Sequence, residues 1–193
     1  QLHLPGEHGV MMALAAAAAG CAAGMELEDI RAALEDLSPA KGRCQIKIGP
    51  NGSTLIDDTY NANRHSILAI TRAMQSTNIP PGGKRWAVLG DIFELGQYTP
   101  AEHRLSGEAL VGVIDYLVAI GDAARFYVEG AIAAGMPLEN AYYFSADVEN
   151  SPELEAAKHA ASDLLKQHVH SDDLVLLKGS RGMYMETMLT MLS

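Results

Sequence analysis

The sequence predicts an α/β protein in which a Rossmann-like, doubly wound and mostly parallel sheet follows an N-terminal β-hairpin. From residue 85 onward, short apolar runs alternate with helical patterns, which is the order of a parallel sheet with crossover helices. The runs are apolar throughout rather than alternating, as expected for strands covered on both faces. The turn sequence PNG between two β-prone runs predicts the hairpin. The predicted strands span residues 45–48, 54–57, 86–89, 116–120, 141–144 and 174–177.

The first 39 residues predict two helices that precede the sheet. Residues 9–25 carry no charge, but this stretch is shorter than the roughly 20 apolar residues of a membrane span, and Glu7 rather than a basic residue precedes it. It is therefore predicted to be a close-packed helix that ends near Gly24. Two helices cannot form a domain alone, so residues 1–39 are expected to end a larger domain and residues 40–193 to form a separate one. The second helix has apolar residues at helical spacing: Leu27, Ile30, Leu34 and Leu37.

Helices between the strands are predicted from periodicity and from capping signals. Ile67, Ile70 and Met74 share one face of a helix after the second strand. Residues 99–102 (TPAE) match a capping box with proline at the first helical position. Another helix is predicted to start at residues 151–152 (SP), and the methionine-rich C-terminus predicts a final one.

Composition and charge narrow the function classes. Of the 193 residues, 48% are hydrophobic and 20% are charged, which is ordinary for a folded domain. The formal net charge of −10 argues against general nucleic-acid binding. Cys21 and Cys44 have neither metal-ligand spacing nor a disulfide-rich context, which favours a reducing, cytoplasmic location.

Polar loops follow three of the predicted strands, and two of these loops contain glycine. They are residues 57–63 (DDTYNAN), 90–96 (GDIFELG) and 178–181 (KGSR). In a doubly wound sheet the carboxyl ends of the strands lie at one edge, so these loops are expected to face a common ligand. For the first loop, an Asx-rich turn that caps the next helix is the alternative interpretation.

The third loop predicts an anion site. Lys178, Ser180 and Arg181 precede the predicted final helix, whose free N–H groups and dipole favour a carboxylate or phosphate. An ordinary loop with Ser180 as a helix cap is the alternative. In the second loop, Asp91 and Glu94 have the chemistry of metal ligands, although a solvated turn is the simpler interpretation.

Motifs of other enzyme classes are absent from the sequence. There is no G-x-x-x-x-G-K-[ST] phosphate loop and no G-x-G-x-x-G dinucleotide fingerprint. There is also no G-x-S-x-G element and no Cys/His metal set. His103 lies inside a predicted helix, where a packed or surface role is expected. If the protein uses ATP, its main phosphate cradle is therefore expected outside this chain.

Four motifs in order resemble those of the Mur ligases, the amide-forming enzymes of peptidoglycan synthesis. Residues 57–63 resemble the family signature D-D-S-Y-N-A-N, and residues 88–96 (VLGDIFELG) resemble V-L-G-D-M-x-E-L-G. Residues 177–181 (LKGSR), followed by ME at 185–186, resemble V-K-G-S-R…M-E. The GR at residues 42–43 matches the pair that opens the family's C-terminal domain.

The resemblance implies that residues 1–39 end a central ATPase domain and that residues 40–193 form the C-terminal Rossmann-like domain. The YNAN tetrad at residues 60–63 favours the branch in which ATP, assisted by Mg²⁺, phosphorylates the carboxylate of UDP-N-acetylmuramoyl-tripeptide. The amine of D-Ala-D-Ala then attacks the acyl phosphate. The implied roles are peptidoglycan synthesis, cell-wall biogenesis, cell shape and cell division, and this chain alone is expected to be inactive.

The resemblance also implies site residues. The implied ATP-binding residues are His8, Arg43 and Asp58, which include a phosphate contact from Arg43 and a ribose contact from Asp58. The implied dipeptide-binding residues are Asn61, Asn63, Lys178, Ser180 and Arg181, the last three for its terminal carboxylate. No metal ligand is implied in this chain. Gly9 and Met12 stand where the family's G-x-H-N-x-x-N motif has asparagines, so this helix lacks the carboxamides found near adenine.

Two alternatives stay open at the level of the sequence. Other Mur-type ligases share the architecture but add a single amino acid. A Rossmann-like module that binds a ligand without catalysis would have the same fold. Neither a nucleic-acid partner nor a membrane span is expected in any of these cases.

Overall fold

The computed structural model describes residues 6–149 and 151–193, with residues 6–8 described by their backbone alone. Its centre is a six-stranded sheet. The strands are β1 Gln45–Ile48, β2 Thr54–Asp58, β3 Arg85–Gly90, β4 Tyr116–Ile120, β5 Ala141–Phe144 and β6 Leu174–Lys178. The strand order is β1-β2-β6-β3-β4-β5, so the last strand in sequence lies inside the sheet. Only β1 and β2 pair antiparallel, which confirms the predicted hairpin and the mostly parallel, doubly wound sheet.

The α-helices of the described residues alternate with these strands after the hairpin. They are α1 Gly6–Ala22, α2 Leu27–Asp36, α3 Arg64–Ser76, α4 Thr99–Leu110, α5 Arg125–Ala133, α6 Ser151–His168 and α7 Met188–Met191.

The two faces of the sheet are covered by different helices, and successive residues of each strand divide between them. On one face Ile56 and Leu89 share a cluster with residues of α3, α4 and α5, among them Ile67. On the other face Leu55 and Val88 share a cluster with α6 and the C-terminal methionines. These five side chains are 4% exposed or less, and burying each contributes roughly 1.5–3 kcal/mol. Both faces are apolar, which accounts for the continuous apolar runs in the sequence.

Helices α4 and α5 touch backbone to backbone at two glycines. A Cβ atom on Gly107 would lie 2.1 Å from the carbonyl oxygen of Tyr127, and one on Gly130 would lie 2.1 Å from that of Arg104. No side chain fits at such distances, so both positions require glycine. The helix pair is tied to the end of β3 by the buried Tyr127, whose hydroxyl donates to the carbonyl of Gly90 at 3.2 Å.

The predicted capping box at the start of α4 is wrong. Thr99 is already helical, and its hydroxyl donates at 2.8 Å to the carbonyl of Gly96, in the 3-10 turn that leads into the helix. Glu102 instead forms an ion pair with Arg64 of α3 at 2.8 Å. The side chains that match the motif are thus used in a turn contact and a tertiary contact.

The predicted methionine-rich final helix is much shorter than expected. After β6 the chain forms two 3-10 turns, Arg181–Met183 and Met185–Thr187, and only α7 is α-helical. Tyr184 between the turns has φ +47°, a left-handed conformation that interrupts a helix. The bend accompanies complete burial of three methionines: Met183, Met185 and Met188.

Helices α1 and α2 pack on each other with little burial. Ile30 is the buried residue of α2, and it lies against Gly20 of α1, where a Cβ atom would be 2.9 Å from Ile30 Cδ1. Leu27, on the predicted apolar face of α2, is 73% exposed. Across the described residues, no helix is long and apolar enough to cross a membrane, the alanine-rich α1 included.

Candidate functional site

The three polar loops predicted to share a ligand lie together, because β2, β6 and β3 are parallel neighbours. Hydrogen bonds join them directly. The amide of Ser180 donates to the carbonyl of Asp91 at 3.1 Å, and the Ser180 hydroxyl accepts from the amide of Phe93 at 2.9 Å. Lys178 Nζ donates to the carbonyl of Asn61 at 2.9 Å. We call this surface the carboxyl edge and define it by residues 57–63, 90–96 and 178–181.

Asp58 and Lys178 form an ion pair within the carboxyl edge. They are direct partners in the β2–β6 register, and Lys178 Nζ lies 2.5 Å from Asp58 Oδ2. Lys178 is 2% exposed, so its charge serves Asp58 and the Asn61 carbonyl rather than solvent. Asp58 Oδ1 accepts from the amide of Cys44 at 3.2 Å and from its thiol at 3.4 Å. Burial, and then the Asp58 carboxylate, raise the pKa of the Cys44 thiol to about 12, which keeps it protonated as a donor.

Asp57 projects to the other face of β2, where it also has a cationic partner. Lys47 Nζ of β1 lies 2.6 Å from its Oδ2, and the Thr59 hydroxyl donates to its Oδ1 at 2.7 Å. Asp57 is fully buried, whereas 13% of the Asp58 side chain remains exposed. Of the two adjacent acids, Asp58 is therefore the one that a ligand can reach.

The two asparagines of the first loop are used differently. Asn63 caps α3: its Oδ1 accepts from the amide of Ser66 at 2.8 Å, and the Ser66 hydroxyl lies 3.1 Å from the amide of Asn63. Asn61 accepts at Oδ1 from the amide of Ala62 at 2.9 Å. Both asparagines are exposed. The turn-and-cap interpretation of this loop thus describes Asn63 well, and the exposed side chains of Asn61 and Asn63 are accessible to a ligand.

Arg43 lies over the ring of Tyr60, beside the first loop. The guanidinium carbon is 4.2 Å from the ring centroid. Gly42 makes this approach feasible: it has φ +70°, its carbonyl accepts from the amide of Tyr60 at 2.9 Å, and a Cβ atom there would lie 3.0 Å from that nitrogen. Within residues 6–149 and 151–193, Arg43 has no acidic partner. Its charge is therefore open to an anion.

Arg181 is exposed and is held by Glu186, with Arg181 Nη1 2.6 Å from Glu186 Oε1. The α-helix that was predicted to follow this loop, and to add its dipole to an anion site, is replaced by short 3-10 turns. Ser180 is 4% exposed, and its hydroxyl accepts from Phe93 rather than capping a helix. Of the three predicted anion ligands, Arg181 alone presents its charged group to solvent.

The second loop is fixed by buried side chains from α4 and α5. His103 Nε2 accepts from the amide of Ile92 at 3.0 Å, and its Nδ1 lies 2.7 Å from the carbonyl of Thr99, which assigns the proton to Nδ1. Burial lowers the pKa of His103, against the smaller opposing effects of the Thr99 carbonyl and Glu102. The packed role expected for this histidine is confirmed, and its tautomer suits both contacts.

Asp91 is buried at the start of α5, where its Oδ2 accepts from the amide of Ala123 at 3.1 Å. Gly121 allows the approach, since a Cβ atom there would lie 2.4 Å from Asp91 Oδ1. Burial raises the pKa of Asp91 to about 6, against the backbone N–H groups that favour its charged form. Glu94 is exposed. In the part of the chain that the structure describes, no three His, Cys, Asp or Glu side chains lie close enough to hold a metal ion.

Two of the sequence-derived expectations concern α1. The side chain of His8 lies outside the described residues. Met12, which replaces a family asparagine, is 60% exposed. The contribution that sequence reasoning missed is that of Tyr60, although it lies inside the motif at residues 57–63. The ion pair between Glu186 and Arg181 was likewise not predicted, although both residues lie in the motif at residues 177–186.

Sequence comparison identifies relatives along nearly the whole chain. Two of them are the UDP-N-acetylmuramoyl-tripeptide–D-alanyl-D-alanine ligases of Mycobacterium leprae (strain TN), 35% identical, and Bacillus subtilis (strain 168), 34% identical. Both alignments cover 94% of this chain, but only 36% and 37% of the respective relative. The chain thus spans little more than a third of the length of these relatives.

Structural comparison gives the same picture. MurF from Acinetobacter baumannii matches with a TM-score of 0.78 at 34% identity, over 96% of this chain and 37% of that one. MurF from Thermotoga maritima in complex with ADP, at 23% identity and a TM-score of 0.64, shares the fold over 90% of this chain and 35% of that one. A family model described as "Mur ligase, glutamate ligase domain" matches residues 42–181, which contain every loop of the carboxyl edge. Because this match spans well over half of the sequence, the chain belongs to the Mur ligase family.

Proposed function

We propose that this chain is the C-terminal part of an ATP-dependent ligase that joins D-Ala-D-Ala to UDP-N-acetylmuramoyl-tripeptide in peptidoglycan synthesis. The observation that carries the proposal is its similarity, over 94% of its length, to ligases named for that reaction. We assign residues 1–39 to the end of the central ATPase domain and residues 40–193 to the C-terminal domain. We assign the enzyme to the cytoplasm, an assignment supported by nucleotide-linked substrates of this kind and by two cysteines that form no disulfide.

The reaction has two steps with different demands on the protein. The carboxylate of the tripeptide attacks the γ-phosphorus of ATP, which forms an acyl phosphate and releases ADP. The dipeptide amine then attacks the acyl carbon, the C–O bond to phosphate breaks, and the amide, phosphate and a proton are released. The second step depends on holding the amine next to the acyl phosphate.

Arg43 is our candidate for the contact with the ATP phosphates. Its guanidinium has no acidic partner among the described residues and is held over Tyr60, so a phosphate has no internal carboxylate to displace. Asp58 is the candidate ribose acceptor. Its Oδ1 accepts from the amide and thiol of Cys44 and its Oδ2 accepts from Lys178, which leaves acceptor capacity on a carboxylate with about four lone-pair sites.

For the dipeptide we assign the terminal carboxylate to Arg181 and a border contact to Asn61, with Asn63 beside it. Lys178 and Ser180 are buried and engaged. We therefore assign them a positioning role: Lys178 holds the backbone of Asn61, and Ser180 holds the second loop. This departs from the direct carboxylate contact that the resemblance implied, because neither group faces solvent.

Magnesium assists the reaction that we propose by balancing phosphate charge. The described residues offer no cluster of acidic or imidazole ligands for it. We therefore assign no magnesium ligand to this chain and derive no step through the ion. The net charge of −10 gives no reason to propose a nucleic-acid partner.

The test is phosphate release by the full-length protein that contains this chain, supplied with ATP, Mg²⁺ and UDP-N-acetylmuramoyl-tripeptide. D-Ala-D-Ala is compared with single amino acids as the amine, and the 193-residue chain alone is the inactive control. Release that depends on the dipeptide supports the proposal. Release with a single amino acid moves the protein to another branch of the family, and no release with any amine favours a binding module without catalysis.

A further inference from the structure

The Arg181–Glu186 pair places an internal carboxylate on the exposed cation of the carboxyl edge. Arg181 Nη1 lies 2.6 Å from Glu186 Oε1, with 57% of the arginine side chain and 22% of the glutamate side chain exposed. Glu186 Oε2 is buried and has no hydrogen-bond partner among the described residues. One oxygen of this carboxylate is thus removed from water without gaining a hydrogen bond, which is unfavourable in free energy. This cost makes the observed position of the Glu186 side chain less stable.

The contact between Arg181 and Glu186 is fixed by the backbone around it and by a side chain of α6. Tyr184, in its left-handed conformation, turns the chain back so that Glu186 returns beside Arg181. The turn is clamped by Lys158 of α6, which is fully buried and donates to the carbonyl of Tyr184 at 3.2 Å and to the hydroxyl of Thr187 at 3.3 Å. The residues on both sides of Glu186 are therefore fixed from a different element.

A carboxylate already on a guanidinium opposes a second one. The incoming group meets a like charge a few ångströms away, and Arg181 Nη1 is already engaged by Glu186 Oε1. We propose that Glu186 is a specificity-determining residue that competes with the terminal carboxylate of the dipeptide for Arg181, and so sets the affinity for that substrate. The proposal rests on the proposed function, because it requires D-Ala-D-Ala to bind at Arg181.

The test is Glu186→Gln in the full-length protein, with KM for D-Ala-D-Ala measured at saturating ATP and tripeptide. The glutamine oxygen can still accept from Arg181, so the substitution removes the charge and keeps the contact. We expect KM for the dipeptide to fall about threefold to fivefold, as for loss of one exposed charge interaction, with KM for ATP unchanged. The C-terminal amide of the dipeptide, which lacks the charge, should show no such gain.

The matched control is Glu129→Gln, because Glu129 pairs with Arg104 at the same 2.6 Å on the exposed side of α5. It should leave both KM values unchanged. In an Arg181→Ala background, Glu186→Gln should also have no effect, since the contested cation is gone. If Glu186→Gln unfolds the protein, Glu186→Ala is expected to lower KM in the same way.

A rise in KM for the dipeptide in Glu186→Gln would mean that Glu186 positions Arg181, and an unchanged KM would mean that the pair lies off the dipeptide's path. Either result overturns the proposal. Failure of the proposed function itself is distinguishable, because the wild-type protein would then release no phosphate in response to D-Ala-D-Ala.

Discussion

Lys178 and Asp58 lie 120 residues apart in sequence, yet they form an ion pair of 2.5 Å at the carboxyl end of adjacent strands. The pair joins the last strand to the hairpin that opens the domain. Because Lys178 also donates to the carbonyl of Asn61, a single buried ammonium fixes both the candidate ribose acceptor and the loop that borders the dipeptide.

Lys178→Met is expected to lower the free energy of unfolding by about 3 kcal/mol, since it leaves the Asp58 carboxylate in a largely buried place without its counter-charge. Urea unfolding measures the loss. The double variant Asp58→Asn/Lys178→Met should recover part of it, because no uncompensated charge remains. The control is Lys84→Met, whose pair with Asp115 is longer, at 3.3 Å, and more exposed, and should contribute about 1 kcal/mol or less. Equal losses in Lys178→Met and Lys84→Met would contradict a special role for the buried pair.

Tyr60→Leu is expected to raise KM for ATP about twofold to fivefold, because Arg43 loses the aromatic face that orients it. Tyr60→Phe keeps the ring and should behave as the wild type. KM for D-Ala-D-Ala serves as the internal reference and should change less than KM for ATP in Tyr60→Leu. If Tyr60→Phe is as impaired as Tyr60→Leu, the hydroxyl rather than the ring is the functional group.

Asp91 should make the folded protein less stable as pH rises from about 4 to 6. Its pKa is raised from 3.8 to about 6, so in this window the unfolded chain releases the proton while the folded chain retains it. The loss is on the order of 2 to 3 kcal/mol and stays constant above that window. The measurement is the difference in unfolding free energy between wild type and Asp91→Asn at pH 4 and at pH 7.

His103 also makes the free energy of unfolding depend on pH, with the opposite sign to Asp91, so the comparison with Asp91→Asn is needed to isolate the effect of Asp91. The pKa of His103 is lowered by burial, so its contribution to stability is present above about pH 6.5, the unfolded value, and is lost as pH falls through the folded value. Wild type and Asp91→Asn share His103, and its effect cancels on subtraction. A difference that does not change with pH would show that the Asp91 carboxyl is not raised in pKa.

Gly130→Ala is expected to destabilise the protein by about 2 kcal/mol or more, as overpacking does. The new methyl group would meet the backbone carbonyl of Arg104, which cannot move as a side chain can. The sign of the change in stability is diagnostic, because replacing glycine with alanine inside a helix otherwise stabilises a protein by about 1 kcal/mol. Thermal unfolding of Gly130→Ala and Gly107→Ala against Glu108→Ala, an exposed neighbour on α4, tests it. A gain in stability in either glycine variant would contradict the close packing of the two helices.

The strands were predictable because each one is a local apolar run. The bounds of β4 and β5 coincide with the predicted residues 116–120 and 141–144. The position of β6 between β2 and β3 was not predictable, since strand order depends on how distant segments pack rather than on any one of them. The role of Lys178 depends on this strand order. In the sequence it is a loop cation that suggests an anion site, whereas in the fold β6 lies next to β2 and Lys178 is the partner of Asp58.

The errors at helix ends have the same origin. Thr99 and Glu102 fit a capping box in sequence. In the fold, however, the Thr99 hydroxyl donates to the carbonyl of Gly96, and Glu102 forms an ion pair with Arg64. At the C-terminus, the methionine-rich segment was predicted to form one helix. The left-handed backbone of Tyr184 interrupts that helix, and the bent path is accompanied by the burial of Met183, Met185 and Met188.

The central place of β6 also governs how the molecule is made. Strands β1–β2 and β3–β5 are synthesised before β6, and until β6 is made no strand pairs with both groups. Each presents an unpaired inner edge, at β2 and at β3, of the kind that invites association between nascent chains. Residues 174–178 close both edges at once, because β6 pairs with β2 on one side and with β3 on the other. A chain that stops before residue 174 contains every helix up to α6 but lacks the strand that pairs with both β2 and β3.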